Sequence, residues 1–242
     1  MPFIRSLLFN VSSLCWTMLL GVFALPALLM PRGAVFAISR LWARGVLGLL
    51  ALLVGLRHDI RGHERVPAGP VIYAVKHQSA WETLILTILI PGFAVVYKRQ
   101  LAFLPFVGWY MLRADMIPIN RGGGAGALRA MLAQARKVVG QGRSIVVMPE
   151  GTRTPPGSRN PYHPGIAALY RGLGLPVVPA ALNSGVFWGR RSFVKSPGRI
   201  TFEFLDPIAP GLDRRAFMAL LEERIETAAE RLRREAEAQL ND

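Results

Sequence analysis

A histidine and a glutamate close the hexapeptide His77-Gln-Ser-Ala-Trp-Glu82, and one short chain reversal would bring their imidazole and carboxylate together. Such a pair is a general base with its orienter: the carboxylate holds one ring nitrogen and leaves the other to take a proton from a hydroxyl. A second segment, Met148-Pro-Glu150-Gly151-Thr152-Arg153, follows a strongly apolar run. It offers a guanidinium suited to a phosphate, a hydroxyl, and a glycine that permits close backbone approach. Tyr97-Lys98-Arg99 and Ile117-Pro-Ile-Asn-Arg121 also place cations directly after apolar runs. Each feature has a plainer reading. A His and a Glu five positions apart are commonplace, Glu82 can act only on a helix N-terminus, and Lys98, Arg99 and Arg121 can be solvent-facing charges.

The charge balance favours the chemical reading. Between Arg65 and Arg199 the only carboxylate side chains are Glu82, Asp115 and Glu150, set among seventeen Lys and Arg, so two of the three acids fall inside the suspected site. The 242-residue chain carries a net charge of +14, which raises the local concentration of anionic partners: nucleic acid, an anionic membrane or a small phosphorylated substrate. No recognisable nucleic-acid-binding motif accompanies the arginines, so a nucleic-acid partner is not expected. Cys15 is the only cysteine. It allows neither an intrachain disulfide nor a cysteine metal cluster, so the site chemistry must use nitrogen and oxygen.

The elements that must position these groups follow from the hydrophobic pattern. After Leu56, short apolar runs alternate with amphipathic stretches, the pattern of strands joined by helical crossovers. Strands are expected near Asp59–Gly62, Val71–Val75, Ala94–Tyr97, Met116–Ile119, Ile145–Met148, Val177–Leu182 and Ile200–Phe204. Helices are expected over Ala80–Ile90, with Ser79 as cap, over Gly126–Val139 and Pro164–Arg171, and from Asp213 to Leu240 with Asp213 as N-cap and a solvated Glu/Arg-rich face. The central strands are uniformly apolar, as when helices cover both faces of a sheet. The fold class is an α/β sandwich, and every chemical segment above follows a strand's carboxyl end, where ligand sites in such sheets collect. The glycine run from Gly122 to Gly126 lacks the Gly-Lys-Ser/Thr of a nucleotide loop and reads as a flexible connection or a helix start.

The first fifty-six residues contain no acid. Ser6 to Met30 is uncharged and long enough to cross a hydrocarbon core, which needs about 20 apolar residues. The next apolar stretch, Ala34 to Leu56, is interrupted by Arg40 and Arg44, leaving only Gly45 to Leu56 free of charge, too short to span. With a turn in Pro26–Gly33, residues 1–56 are expected to form a helical hairpin dipped into one leaflet, its arginines snorkelling to the headgroups. Residues 57–242 form the catalytic domain. The alternative is a cleavable signal peptide, with Arg5 before the apolar region and Val22-Phe23-Ala24 as cleavage site, but the apolar run continues past that site.

In their order, His77-Gln-Ser-Ala-Trp-Glu82, Lys98 through Gly108 to Arg121, Pro149-Glu150-Gly151-Thr152-Arg153 and Val178-Pro179-Ala180 resemble the four motifs of the glycerolipid acyltransferase family. The resemblance covers roughly residues 57 to 210 and is nearest to the bacterial members that acylate lysophosphatidic acid. The hairpin also resembles the family's two-helix membrane anchor. The resemblance implies an αβα sandwich that transfers a fatty acyl group from acyl-CoA or acyl-carrier protein to the sn-2 hydroxyl of lysophosphatidic acid. The product would be phosphatidic acid for phospholipid biosynthesis, made at a bacterial inner membrane with the site on its cytoplasmic side. It implies that His77 is the general base and Glu82 its orienter, and that Lys98 and Arg153 bind the acceptor phosphate. Glu150, Gly151 and Thr152 would complete that substrate-binding motif and Arg121 the basic end of the second one. No metal, cofactor or covalent acyl-enzyme is implied. This chain departs from the family pattern at Glu82, usually Asp, at Lys76, usually Asn, and at Gln100, often an acid. Those departures bear on acceptor preference. The alternatives are an acyltransferase for another lysolipid, such as lyso-ornithine lipid, and a non-enzymatic protein that binds anionic membranes. A lipid hydrolase is disfavoured because no Gly-x-Ser-x-Gly nucleophile elbow is present.

Overall fold

The apolar runs become a seven-stranded sheet: β1 (Leu56–Arg61), β2 (Ile72–Val75), β3 (Ala94–Lys98), β4 (Ile117–Ile119), β5 (Ile145–Val147), β6 (Val177–Leu182) and β7 (Gly198–Phe204). The structure, a computed structural model, describes residues 2–120 and 122–241. The strand order is β1-β7-β6-β2-β5-β3-β4. The five strands β6, β2, β5, β3 and β4 run parallel, so their carboxyl ends share one edge. β7 is antiparallel to β6 and β1 is parallel to β7, which makes the sheet mixed. β1 starts at Leu56 rather than Asp59 because Leu56 through Arg61 pair in register with Gly198 through Glu203.

Eight α-helices lie among the described residues: α1 (Pro2–Phe23), α2 (Arg32–Leu49), α3 (Trp81–Leu89), α4 (Val107–Arg113), α5 (Gly124–Val139), α6 (Gly165–Leu173), α7 (Ser184–Phe187) and α8 (Arg214–Asn241). Asp213 caps α8, its carboxylate accepting from the backbone N–H of Arg215 and Ala216. The glycine run opens α5. Met131 of α5, Ile166 of α6 and Phe217 of α8 cover one sheet face over Ile72, Ala74 and Ile145. Leu84 and Ile85 of α3, Phe9 of α1 and Val46 and Leu47 of α2 cover the other over Tyr73, Val75 and Phe202. Covered on both faces, β2, β5 and β6 are buried at every position, which accounts for their lack of polar alternation.

The hairpin is therefore the outer layer of one continuous core. Arg40 and Arg44 do not end its second helix, which continues through a π-helical turn at Leu50–Val54. Pro2–Phe23 and Arg32–Val54 are each long and apolar enough to cross a bilayer by length and composition. Gly45 allows a close approach: a Cβ there would lie 2.3 Å from Trp16 Nε1. Trp16 Nε1 donates to the Trp42 carbonyl at 3.1 Å and Trp42 Nε1 to Thr17 Oγ1 at 2.9 Å.

Both ends of α1, about 33 Å apart at 1.5 Å per residue, are fastened to the rest of the molecule. Near its start, Lys195 donates from its backbone N–H to Ser6 Oγ at 3.0 Å and from Nζ to Asn10 Oδ1 at 2.5 Å, while Phe9 meets Trp188 edge-on. Near its end the Gly21 carbonyl accepts from the Tyr110 hydroxyl at 3.4 Å, and at the bend beyond it Arg113 donates from Nε to the Leu28 carbonyl at 2.8 Å and also to the Met30 carbonyl. Arg32 pairs with Asp115 and donates to Gln141 Oε1 at 2.7 Å.

Candidate active site

β2 and β5 are neighbours, but the helices that follow them part company: α3 packs on the hairpin face and α6 on the opposite face. A split of this kind opens a crevice at the strands' carboxyl ends. His77 stands two residues beyond β2, and Glu150 through Arg153 begin three residues beyond β5. Lys98 ends β3, about 10 Å from β2 across two strand spacings. The expected residues thus line one edge in the order of the strands, apart from Arg121, which lies outside the described residues.

His77 Nδ1 lies 2.7 Å from Glu82 Oε1. The backbone N–H groups of Gln78 and Ser79 donate to the same oxygen at 2.7 and 2.6 Å, and Ser184 Oγ donates to Oε2 at 2.9 Å. The carboxylate is wholly buried whereas the imidazole is 16 % exposed. Because Glu82 acts as acceptor at every one of these contacts, Nδ1 carries the proton that faces it and Nε2 is left as the basic nitrogen. Local sequence explains the placement. Glu82 is in the first turn of α3 and reaches back over its N-terminus, so one carboxylate satisfies helix-entry N–H groups and fixes the ring. Ser79 is not the cap expected: Ala80 stands at the N-cap without a side-chain cap bond, and Ser79 Oγ, one residue earlier, accepts from Trp81 N–H at 3.3 Å.

The second segment is tied to the first. The Thr154 N–H donates to the His77 carbonyl at 2.7 Å, and Gly151 takes a left-handed conformation, φ +64°, that favours glycine. Glu150, expected at the substrate, is placed differently. It is 2 % exposed, with Oε1 accepting from Lys76 Nζ at 2.7 Å and Oε2 from the His77 backbone N–H at 3.0 Å. Both oxygens are committed to the scaffold. Thr152 and Arg153 are half-buried and Lys98 is exposed. Among the described residues, no carboxylate pairs with either cation. Ser184, beyond the carboxyl end of β6, was not expected at the site, although its place after a parallel strand is the signal that singled out the other groups.

The sequence matches the family model described as Acyltransferase over residues 57–183, more than half of the chain. The chain belongs to the acyltransferase family. Among similar acyltransferases, the 1-acyl-sn-glycerol-3-phosphate acyltransferase of Pseudomonas aeruginosa is 34% identical over 194 residues, covering 80% of this chain and 75% of the relative. The enzyme of the same name from Limnanthes alba is 29% identical over 173 residues, 71% of this chain and 61% of the relative. The crystal structure of the 1-acyl-sn-glycerophosphate (LPA) acyltransferase from Thermotoga maritima has the same fold, with a TM-score of 0.78 at 19% identity over 96% of this chain and 95% of that one.

Proposed function

We propose that this acyltransferase moves a fatty acyl group from acyl-CoA or acyl-carrier protein to the sn-2 hydroxyl of lysophosphatidic acid, yielding phosphatidic acid. The observation that carries the reading is the His77–Glu82 pair, an imidazole with one nitrogen held by a buried carboxylate and the other unclaimed by it. The names of the relatives supply the acceptor. Arg153 and Lys98 grip its phosphate and bring the hydroxyl to Nε2. The hydroxyl proton passes to Nε2 as the oxygen attacks the acyl carbonyl. On collapse the C–S bond breaks, and the imidazolium returns its proton to the departing thiolate. Glu82 stabilises the imidazolium while it lasts.

The membrane is the second part of the proposal. Phe3, Leu7, Leu14, Met18, Phe23 and Leu29 of the hairpin are exposed, a surface suited to acyl chains. Since α1 is fastened to the body near both ends, it cannot cross a bilayer without drawing that body into hydrocarbon. It lies in one leaflet, on the cytoplasmic face of a bacterial inner membrane.

The test is thiol release from acyl-CoA with a panel of lysolipid acceptors, using purified protein and its His77→Ala and Arg153→Ala variants. Loss of the base lowers the rate by about 10²–10⁴, and Arg153→Ala mainly raises the acceptor KM. Equal activity of wild type and His77→Ala refutes the mechanism. Labelling of the Pro31–Gly33 turn only from the opposite face refutes the placement.

A further inference from the structure

We propose that Glu226, on α8 and 150 positions along the chain from Lys76, is a positioning residue for His77 and acts through Lys76 and Glu150. The inference rests on His77 being the base of the proposed reaction. Lys76 is among the largest wholly buried side chains. Its ammonium has three N–H bonds, and all three find carboxylate oxygens: Glu150 Oε1 at 2.7 Å, Glu226 Oε1 at 2.8 Å and Glu226 Oε2 at 2.9 Å. The remaining Glu150 oxygen accepts from the His77 backbone N–H, and the Thr154 N–H takes the His77 carbonyl. The peptide that carries the imidazole is thus held on both sides, and one of those holds is a relay that ends on α8.

The relay has little slack. Tyr162 donates from its hydroxyl to Glu226 Oε1 at 2.8 Å. Burial, and then the Glu226 carboxylate, push the Tyr162 phenol well above its ordinary range, so it remains a donor. Burying one ammonium and two carboxylates costs several kcal/mol per ion before their attraction is counted, and apolar residues of similar volume fill such a position at least as stably. A cluster kept there despite that cost, one hydrogen bond from the base, is suited to placement. Glu226→Gln puts an amide N–H donor in place of Oε2, so Lys76 loses that oxygen and the charge that holds its ammonium, and it can turn towards the cavity of about 330 Å³ that borders Lys76, Gln78 and Glu226. Glu150 then loses its anchor and the His77 peptide its restraint.

The experiment uses the full chain in detergent, with acyl-CoA and lysophosphatidic acid. Glu226→Gln keeps the shape and the Tyr162 contact; it is expected to lower kcat by about 10- to 100-fold, the effect of a small misplacement of a reacting group, while the acceptor KM stays within roughly threefold. In the His77→Ala background the same change should leave the residual rate where it is. A proportional fall there, or a kcat for Glu226→Gln within about threefold of wild type, overturns the proposal. Should Glu226→Gln not fold, the apolar pair Lys76→Met with Glu226→Leu removes the ammonium together with one of its two carboxylates, while Glu150 keeps its bond from the His77 N–H. A stable but slow double variant supports positioning, and full activity in it shows that the cluster serves folding alone. Failure of the proposed function reads differently: His77→Ala would then be as active as wild type.

Discussion

Replacing Glu82 by glutamine separates charge from geometry at the base. A glutamine in the same rotamer keeps Oε1 in front of the Gln78 and Ser79 N–H groups and His77 Nδ1–H, and its amide nitrogen meets Ser184, whose hydroxyl turns round to accept. What disappears is the negative charge beside the imidazolium formed during transfer. With Nδ1 and Oε1 2.7 Å apart the charge centres are about 4 Å apart, worth about 4 kcal/mol at an effective dielectric near 20. Partial proton transfer in the transition state and the ring's exposure reduce that to about 2–4 kcal/mol, or roughly 30- to 10³-fold in rate. Glu82→Ala also orphans buried donors at about 1–3 kcal/mol each and so lowers stability as well as rate. The assay pairs kcat from thiol release with the thermal midpoint. The expected pattern is Gln slow but stable, Ala slow and unstable. If Glu82→Gln turns over within about threefold of wild type while Glu82→Ala is inactive, the carboxylate is only a structural clip and the electrostatic argument fails.

Ser184→Ala removes one neutral donor from the Glu82 carboxylate. Because the acceptor is a buried carboxylate, it should cost about 1.5–3 kcal/mol, seen as a lower melting temperature and a loss of kcat of no more than about 150-fold. Arg143→Met should be a stability variant: its guanidinium serves the buried carbonyls of Phe93 and Ala114, and orphaning both costs about 2–6 kcal/mol in denaturant unfolding. Tyr162 gives a pH signature. Its folded phenol stays protonated where the unfolded one ionises near 10, so its contribution is complete below about pH 10 and falls by about 1.4 kcal/mol per unit above it. Unfolding curves from about pH 9 to 11 should show that extra alkaline slope in wild type and not in Tyr162→Phe.

Much of this arrangement was legible in the chain because the sheet is buried on both faces. Continuous apolar runs mark β2, β5 and β6, and polar residues at their ends mark the edge where chemistry can occur. An apolar run carries no sign of direction, so the reversal of β7 was not legible. Nor were Arg40 and Arg44 a guide to the end of α2, since a helix continues through arginines that reach its surface. Glu150 was expected at the substrate because its motif is contiguous; the fold instead spends its carboxylate on Lys76 and the His77 peptide. Lys76 and Glu226 are 150 positions apart, and a buried lysine looks in sequence like any surface one. Long-range polar closure of this kind is made by the fold and leaves no mark on the local sequence.

The fastening of α1 also bears on how the protein is made. Ser6 and Asn10 find their partner in Lys195, 189 and 185 positions further along the chain. At about 5–20 residues per second, synthesis from the end of the hairpin at Val54 to Lys195 occupies roughly 7–28 s. Throughout that interval the apolar hairpin has emerged while the loop that clasps its beginning has not. Lipid or a chaperone must cover it meanwhile, so biogenesis of this enzyme is timed by its last third. Chains that stop short of Lys195 should accumulate as aggregates or chaperone-bound species even though their hairpin sequence is intact.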